Sequence, residues 1–266
     1  MLTPEFYEKT PNDLSRLINK MQNWTLQQIA ARINRLNKLN ASSDYQLMRL
    51  AEIQEFDNDL KAQIAEMTGK SFAEIERIFE QAVIETNLSD KHLFNIARIP
   101  YVPYHENAFL QQITRAMAEQ TKSEFTNLTR SIGFKTYEGD YLPARDYFIR
   151  KLDEVTTQVS TGVSDYNSAI RRVVNEMVGS GIRTVEYPGR TIRIESAVRA
   201  AVLTGVSQLA DKVTWKNIED LGVEIVETTA HGTARDTHIP WQGRRFALNG
   251  TVDEVLSKVD AIRAVK

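Results

Sequence analysis

Six arginines fall close together in the chain, Arg171, Arg172, Arg183, Arg190, Arg193 and Arg199, against only Glu176, Glu186 and Glu195. A guanidinium presents a planar fork of donors suited to phosphate or carboxylate. The group is therefore a candidate contact for DNA, or for an acidic face of a partner ring. Internal pairing is the competing account. Glu195 and Arg199 are i,i+4 neighbours, Glu186 is expected across a hairpin from Arg193, and strand and helix patterning then accounts for most of these charges.

His231, Asp236 and His238 form a second constellation. Imidazole and carboxylate both bind zinc-like ions, but a closed site takes four ligands. No cysteine exists to help, and the other two histidines, His92 and His105, belong to a helical region. The three are read as an incomplete metal set whose histidines lock a loop by hydrogen bonds, so no metal or cofactor is expected. Trp241, beside Pro240 and Gly243, is either an interface anchor or, the favoured reading, a core residue.

Catalytic motifs are missing. There is no Gly-x-Ser-x-Gly elbow, no His-Glu-x-x-His and no Walker-type phosphate loop. Gly179 to Gly181 is a lone glycine turn that suits a helix stop. Thr204 to Ser207 lies in a helical pattern. An enzyme is not expected.

The elements that must carry these residues have two textures. From Asn12 to about Ser160 the periodicity is helical. One helix follows Pro11 with Leu14, Leu17, Ile18, Met21, Ile29, Ile33 and Leu36 inward, and a turn is expected over residues 40–44. A second carries Leu47, Leu50, Ile53, Leu60, Ile64 and Met67 and is expected to stop at Gly69. A third should open at Ser71 with a capping box to Glu74 and bury Phe72, Ile75, Ile78, Phe79 and Val83. Two prolines make Ile99–Asn107 an extended connector. Helices resume over about 108–131 and from Pro143 to about Val159.

From Ser164 a helix with Ile170, Val173, Val174 and Met177 leads to a period-2 pattern. Residues 182–186 and 190–194 flank Tyr187-Pro188-Gly189 and predict a β-hairpin of open register. Ser196 can cap the next helix, whose Ala197, Ala200, Ala201 and Gly205 permit close approach by another backbone. A strand over 223–228, a loop over 230–238 and an amphipathic helix from Thr251 with Val252, Val255, Leu256, Val259 and Ile262 complete the reading. No internal repeat is visible. The expected fold is α+β and predominantly α-helical. A helical bundle or elongated arm spans 1–160, a small α+β domain with the hairpin spans 161–250, and a C-terminal helix spans 251–266.

Bulk properties are compatible with that reading. Hydrophobic residues are 42% and charged residues 26% of 266, ordinary for a globular protein. Zero cysteines rule out disulfides and thiolate chemistry. A formal net charge of −2 gives no support to global polyanion binding. No apolar run approaches a membrane span, and no secretory start is present, so synthesis in a host cytoplasm is expected.

The run GIRTVEYPGRTIRIESAVR over 181–199, LTGVSQL over 203–209 and TAHGTARDTHIPWQG over 229–243 together resemble the phage minor capsid protein 2 family. The last is also similar to the Arg-x-x-His-x-x-x-x-Gly signature of phage Mu-like head-morphogenesis proteins. Arg235, His238 and Gly243 match that signature, and His231 and Trp241 match the closer family. The resemblance implies a virion protein of few copies, inside the head near the portal, that assists assembly or leaves with the DNA. Its implied partners are the portal protein, capsid proteins and neighbouring copies, with packaged double-stranded DNA as a further one. Relatives usually continue into a glycine-tryptophan-asparagine-cysteine-arginine-histidine segment. Here the chain runs through Arg244 to Gly250 instead, so a metal site built on that cysteine would not be completed. A metal-dependent hydrolase or toxin-like effector is the least favoured reading.

Overall fold

The computed structural model describes residues 2–37, 45–187, 189–230, 232, 235–237 and 239–251. The turn expected over residues 40–44 and the helix expected beyond Thr251 lie outside the described residues. Helix α1 (Pro4–Lys9) is opened by Thr3, whose hydroxyl accepts the Phe6 N–H at 3.3 Å. Helix α2 (Asn12–Asn37) buries Leu14, Ile18, Met21, Ile29, Ile33 and Leu36, the expected stripe.

Helix α3 (Tyr45–Ser89) corrects the sequence reading, because it runs 45 residues straight through Gly69 and Ser71. Ser71 is not a cap; it is fully buried, inside a face that holds Met67, Ile75 and Phe79. An interior glycine costs about 1 kcal/mol of helix propensity. The burial of several large side chains at about 1.5–3 kcal/mol each outweighs that.

Helix α4 (Lys91–Ala97) ends on Arg98 at φ 56. Helix α5 (Ala108–Arg130) is capped by Asn107, which accepts the Leu110 N–H at 3.1 Å. Strands β1 (Gly133–Lys135) and β2 (Tyr141–Pro143) were not expected from the sequence. Helices α6 (Ala144–Ser160) and α7 (Tyr166–Ser180) follow, the latter capped by Asp165. The expected hairpin is present as β3 (Arg183–Tyr187) and β4 (Arg190–Arg193). Helix α8 (Ile194–Asp220) opens on Arg193 without a side-chain cap, so Ser196 sits inside the first turn and does not cap it. A separate two-stranded ribbon pairs β5 (Ile225–Glu227) with β6 (Arg245–Ala247).

One hydrophobic cluster runs from Leu2 to Val213 and is shared mainly by α2, α3, α5 and α8. The expected close approach occurs at Gly205. A Cβ there would lie 2.6 Å from Phe79 Cζ and 2.7 Å from Thr121 Oγ1, so α8 crosses α3 and α5 on that hydrogen.

The four-stranded sheet has the order β2-β1-β3-β4, all neighbours antiparallel. It reveals an internal repeat that the sequence hides. Residues 132–152 and 182–202 superpose in pattern fifty positions apart. Ile132 and Ile182, Phe134 and Thr184, Phe148 and Val198, and Leu152 and Val202 are buried pairwise. Gly139 and Gly189 take positive φ of 94° and 83° in the two turns. Ala144 N–H donates to Ile132 O at 3.0 Å, as Ile194 N–H does to Ile182 O at 3.1 Å.

The two units face each other about a local two-fold. Gly133 pairs with its own equivalent, Arg183. Helix α6 lies on β1 and β2 as α8 lies on β3 and β4, while α5 reaches across to β3 as α7 does to β1. Two serines mark the exchange. Ser131 Oγ accepts the Val185 N–H at 3.2 Å, and Ser180 Oγ accepts the Lys135 N–H at 2.7 Å.

Candidate functional site

The register of the β3–β4 hairpin decides the pairing of its arginines. Arg183 stands opposite Arg193, Thr184 opposite Ile192 and Val185 opposite Thr191, with an irregularity between Val185 and Tyr187. The expected pairing of Glu186 across from Arg193 is therefore wrong: two like charges face each other on the outer side of the hairpin. The inner side carries Thr184, whose hydroxyl donates to Leu128 O at 2.7 Å and meets Ser131 Oγ at 2.6 Å.

Among the described residues, internal ion pairing does not absorb Arg171, Arg172, Arg183, Arg193 or Arg199. Arg171 Nε donates to Asn167 O at 3.3 Å and Arg172 to Gln158 Oε1 at 2.6 Å, both neutral acceptors. Arg183 reaches Thr191 O at 3.3 Å. Its Nε is buried without a hydrogen-bond partner, and so is Thr191 Oγ1. Arg193 lies over Gly181, with its Nε 3.6 Å from where a Cβ would stand. Among the described residues Glu195 and Arg199 form no ion pair, contrary to the i,i+4 expectation.

The six do not form one patch. Arg183, Arg190 and Arg193 belong to the hairpin. Arg171 and Arg172 sit on α7, about 15 Å along its axis from β3 at 1.5 Å per residue. Arg199 is exposed on the second turn of α8.

Arg235 and Asp236 are exposed in the loop between β5 and β6. Gly243 takes φ 64, and its N–H donates to Thr228 O at 3.0 Å, closing the base of that loop. Only glycine adopts this turn without strain. His231 and His238 lie outside the described residues, and of Trp241 the structure shows only that it ends a short 3₁₀ turn from Ile239. Among the described residues no three histidine or acidic side chains are grouped to hold a metal ion.

Two features escaped sequence reasoning. The first is a buried ionic cluster between α6 and α7. Tyr147 donates to Glu176 Oε1 at 2.9 Å, Lys151 donates to Glu176 Oε2 at 2.9 Å, and Lys151 also reaches Glu154 at 2.6 Å. Lys151 and Glu176 are each 3% exposed. Burial works to lower the Lys151 pKa, but its bonds to Glu154 and Glu176 prevail and raise it. Burial, reinforced by Glu176, pushes the Tyr147 phenol far above its ordinary value. A neutral donor and a paired ammonium satisfying one carboxylate describe a structural clamp between α6 and α7.

The second is an apolar end. Asn217 bonds Asp90 at 2.9 Å and joins the end of α8 to the α3–α4 corner. There Leu88, Leu93, Ile96, Val102, Phe109 and Trp215 are all 40% exposed or more. Phe109, Trp215, Val223 and Leu248 line a groove of about 720 Å³ at this end. A second groove of about 500 Å³, between α1, α2 and α3, is lined by charges of both signs, among them Glu5, Lys9, Arg16 and Arg77. Among the described residues no helix is long and apolar enough to cross a membrane.

A family model described as phage minor capsid protein 2 matches residues 2–264. No curated protein and no solved structure matches the chain.

Proposed function

The chain belongs to the phage minor capsid protein 2 family, a structural component of the virion, and from that premise we propose that it docks on the portal inside the head and assists assembly or DNA ejection. The observation that supports this reading is the apolar end built by α3, α4, α5 and α8. Soluble monomers rarely leave large apolar side chains gathered on one rigid surface, and such patches mark protein interfaces. A single core behind it means that a load at that end is carried by the whole body.

The test is light scattering on the purified protein alone and mixed with the portal protein of the same phage. A stable co-complex, lost in Trp215→Asp and Ile96→Asp variants that keep their melting temperature, is the expected result. No complex at any ratio removes the portal from the proposal.

A second reading, contact of the arginines with packaged DNA, has its own support. Arg171, Arg172, Arg183, Arg193 and Arg199 have no carboxylate within ion-pair distance among the described residues, and four of these five are exposed. Binding by phosphate neutralisation weakens with a log–log salt slope of about −0.9 per phosphate contacted. An isotherm flat between low and moderate salt excludes it.

A further inference from the structure

The local two-fold inside the chain uses one edge of each hairpin. β1 and β3 are paired with each other, while among the described residues β2 and β4 each have a single strand neighbour. The hydrogen-bond parity of the sheet shows what those free sides offer. Ala144 N–H bonds Ile132 O, and Thr136 N–H bonds Asp140 O. Antiparallel pairs alternate, so at the intervening pair of Lys135 with Tyr141 the Tyr141 N–H and C=O turn away from β1. By the fifty-residue equivalence, Thr191 turns its N–H and C=O away from β3. Tyr141 thus offers a complete donor and acceptor at the β2 edge, and its equivalent Thr191 offers its N–H at the β4 edge, where its C=O already accepts from Arg183 at 3.3 Å.

The equivalent edges have opposite charge. The turn leading into β2 carries Glu138 and Asp140, both exposed and paired with Arg150 at 3.3 and 3.8 Å, with Glu138 also held by Thr136. The corresponding edge carries Arg190 and Arg193, with Arg183 beneath, and Asp140 is replaced at its equivalent position by Arg190. Exposed ion pairs such as those of Arg150 hold about 0–1 kcal/mol and exchange readily. Two further needs coincide at the basic edge. Helix α8 begins there without a side-chain cap, and Arg183 Nε and Thr191 Oγ1 have no hydrogen-bond partner.

From this complementarity we infer that the β4 edge of one copy receives the β2 edge of a second copy, head to tail, extending the sheet from one molecule to the next. Strand sense agrees, since the alternation β2-β1-β3-β4 continues antiparallel into the β2 of the second copy. Pairing Thr191 with Tyr141 of that copy sets its Glu138 and Asp140 beside Arg193 and the open first turn of α8. Carboxylates are favourable at a helix N-terminus as well as beside arginine. The contact is heterologous and so generates a ring or a filament, not a closed dimer. Strands of three and four residues make each joint weak alone. Copies held close together in a particle raise the effective concentration that such a joint needs. The edges are clear of the apolar end, because the length of α8 separates them.

Sedimentation of the intact chain from micromolar to millimolar concentration tests this. Wild type should grow beyond its 30.3 kDa monomer with concentration. The variant Arg190→Glu with Arg193→Glu and the variant Glu138→Lys with Asp140→Lys should each remain monomeric while melting as wild type does. An equimolar mixture of the two, whose edges are again complementary, should regain association at least tenfold over either alone. Wild type that stays monomeric throughout, or variants that associate as wild type does, overturns the inference. An arginine variant that loses DNA binding but keeps self-association also overturns it, and assigns those arginines to nucleic acid.

Discussion

Alanine should stabilise the protein at Gly69 and leave it level or destabilised at Gly205, although both glycines lie inside long helices. Replacing an interior helical glycine by alanine gains about 1 kcal/mol of propensity at either position. At Gly69 the added methyl meets nothing within 4 Å and faces solvent, so the gain should be realised in full. At Gly205 the methyl would stand 2.6 Å from Phe79 Cζ and 2.7 Å from Thr121 Oγ1. Phe79 is completely buried and cannot swing away, so α8 must retreat. That retreat loosens Val202, Val206 and Leu209, each completely buried on the same helix. Overpacking of this kind costs about 1–3 kcal/mol. Because the propensity gain cancels between the two variants, their difference isolates that cost. Near this chain length 1 kcal/mol moves the melting temperature by about 2–4 °C, so the Gly69→Ala protein should melt several degrees above the Gly205→Ala protein, with wild type between or level with the latter. Calorimetry or thermal circular dichroism reads this directly. Equal shifts for both would refute the close crossing of α8 over α3 and α5.

Glu176→Ala should destabilise the protein by about 3 kcal/mol in urea titration, since it strips a buried ammonium of one partner while Glu154 keeps it at the low end of the range for broken buried pairs. A loss below about 1 kcal/mol would mean that Lys151 escapes to solvent. On the alkaline side, the raised pKa values of Lys151, Tyr147 and Tyr141, the last pushed up to about 12, have one sign. Their contribution is complete below about pH 10 and is lost as pH rises through the folded values. Stability should therefore fall above about pH 10, and ultraviolet titration should find Tyr147 and Tyr141 silent until the chain unfolds; titration of every tyrosine near pH 10 in the folded protein would contradict their burial. Gly243→Val should strain the base of the β5–β6 loop while barely changing the global melt, which proton exchange at the Gly243 amide against the α3 amides can separate.

Most of the helices were legible because their apolar positions repeat at helical spacing, as with Leu14 to Leu36 in α2. The places that misled are specific. Gly69 and Ser71 imitate a stop and a cap, but tertiary packing around Met67 and Ile75 overrides both local signals. β1 and β2 are three residues each and include Gly133 and Pro143, which leaves no period to detect. The repeat is hidden because equivalent core sites hold different side chains, Phe134 for Thr184 and Tyr147 for Ala197, while only their burial is shared. The arginines were legible as a cluster in sequence. Their distribution was not, because the hairpin register that sets Arg183 against Arg193 depends on a turn irregularity, and α7 carries Arg171 and Arg172 well away from the sheet.

Quantitative mass spectrometry of purified particles before and after DNA release decides whether this chain is a structural part of the virion docked inside the head. The chain should be present in intact particles at a copy number far below the major capsid protein, protected from added protease until the head is opened. Absence from purified particles, with the chain found only in infected-cell lysate, would contradict it.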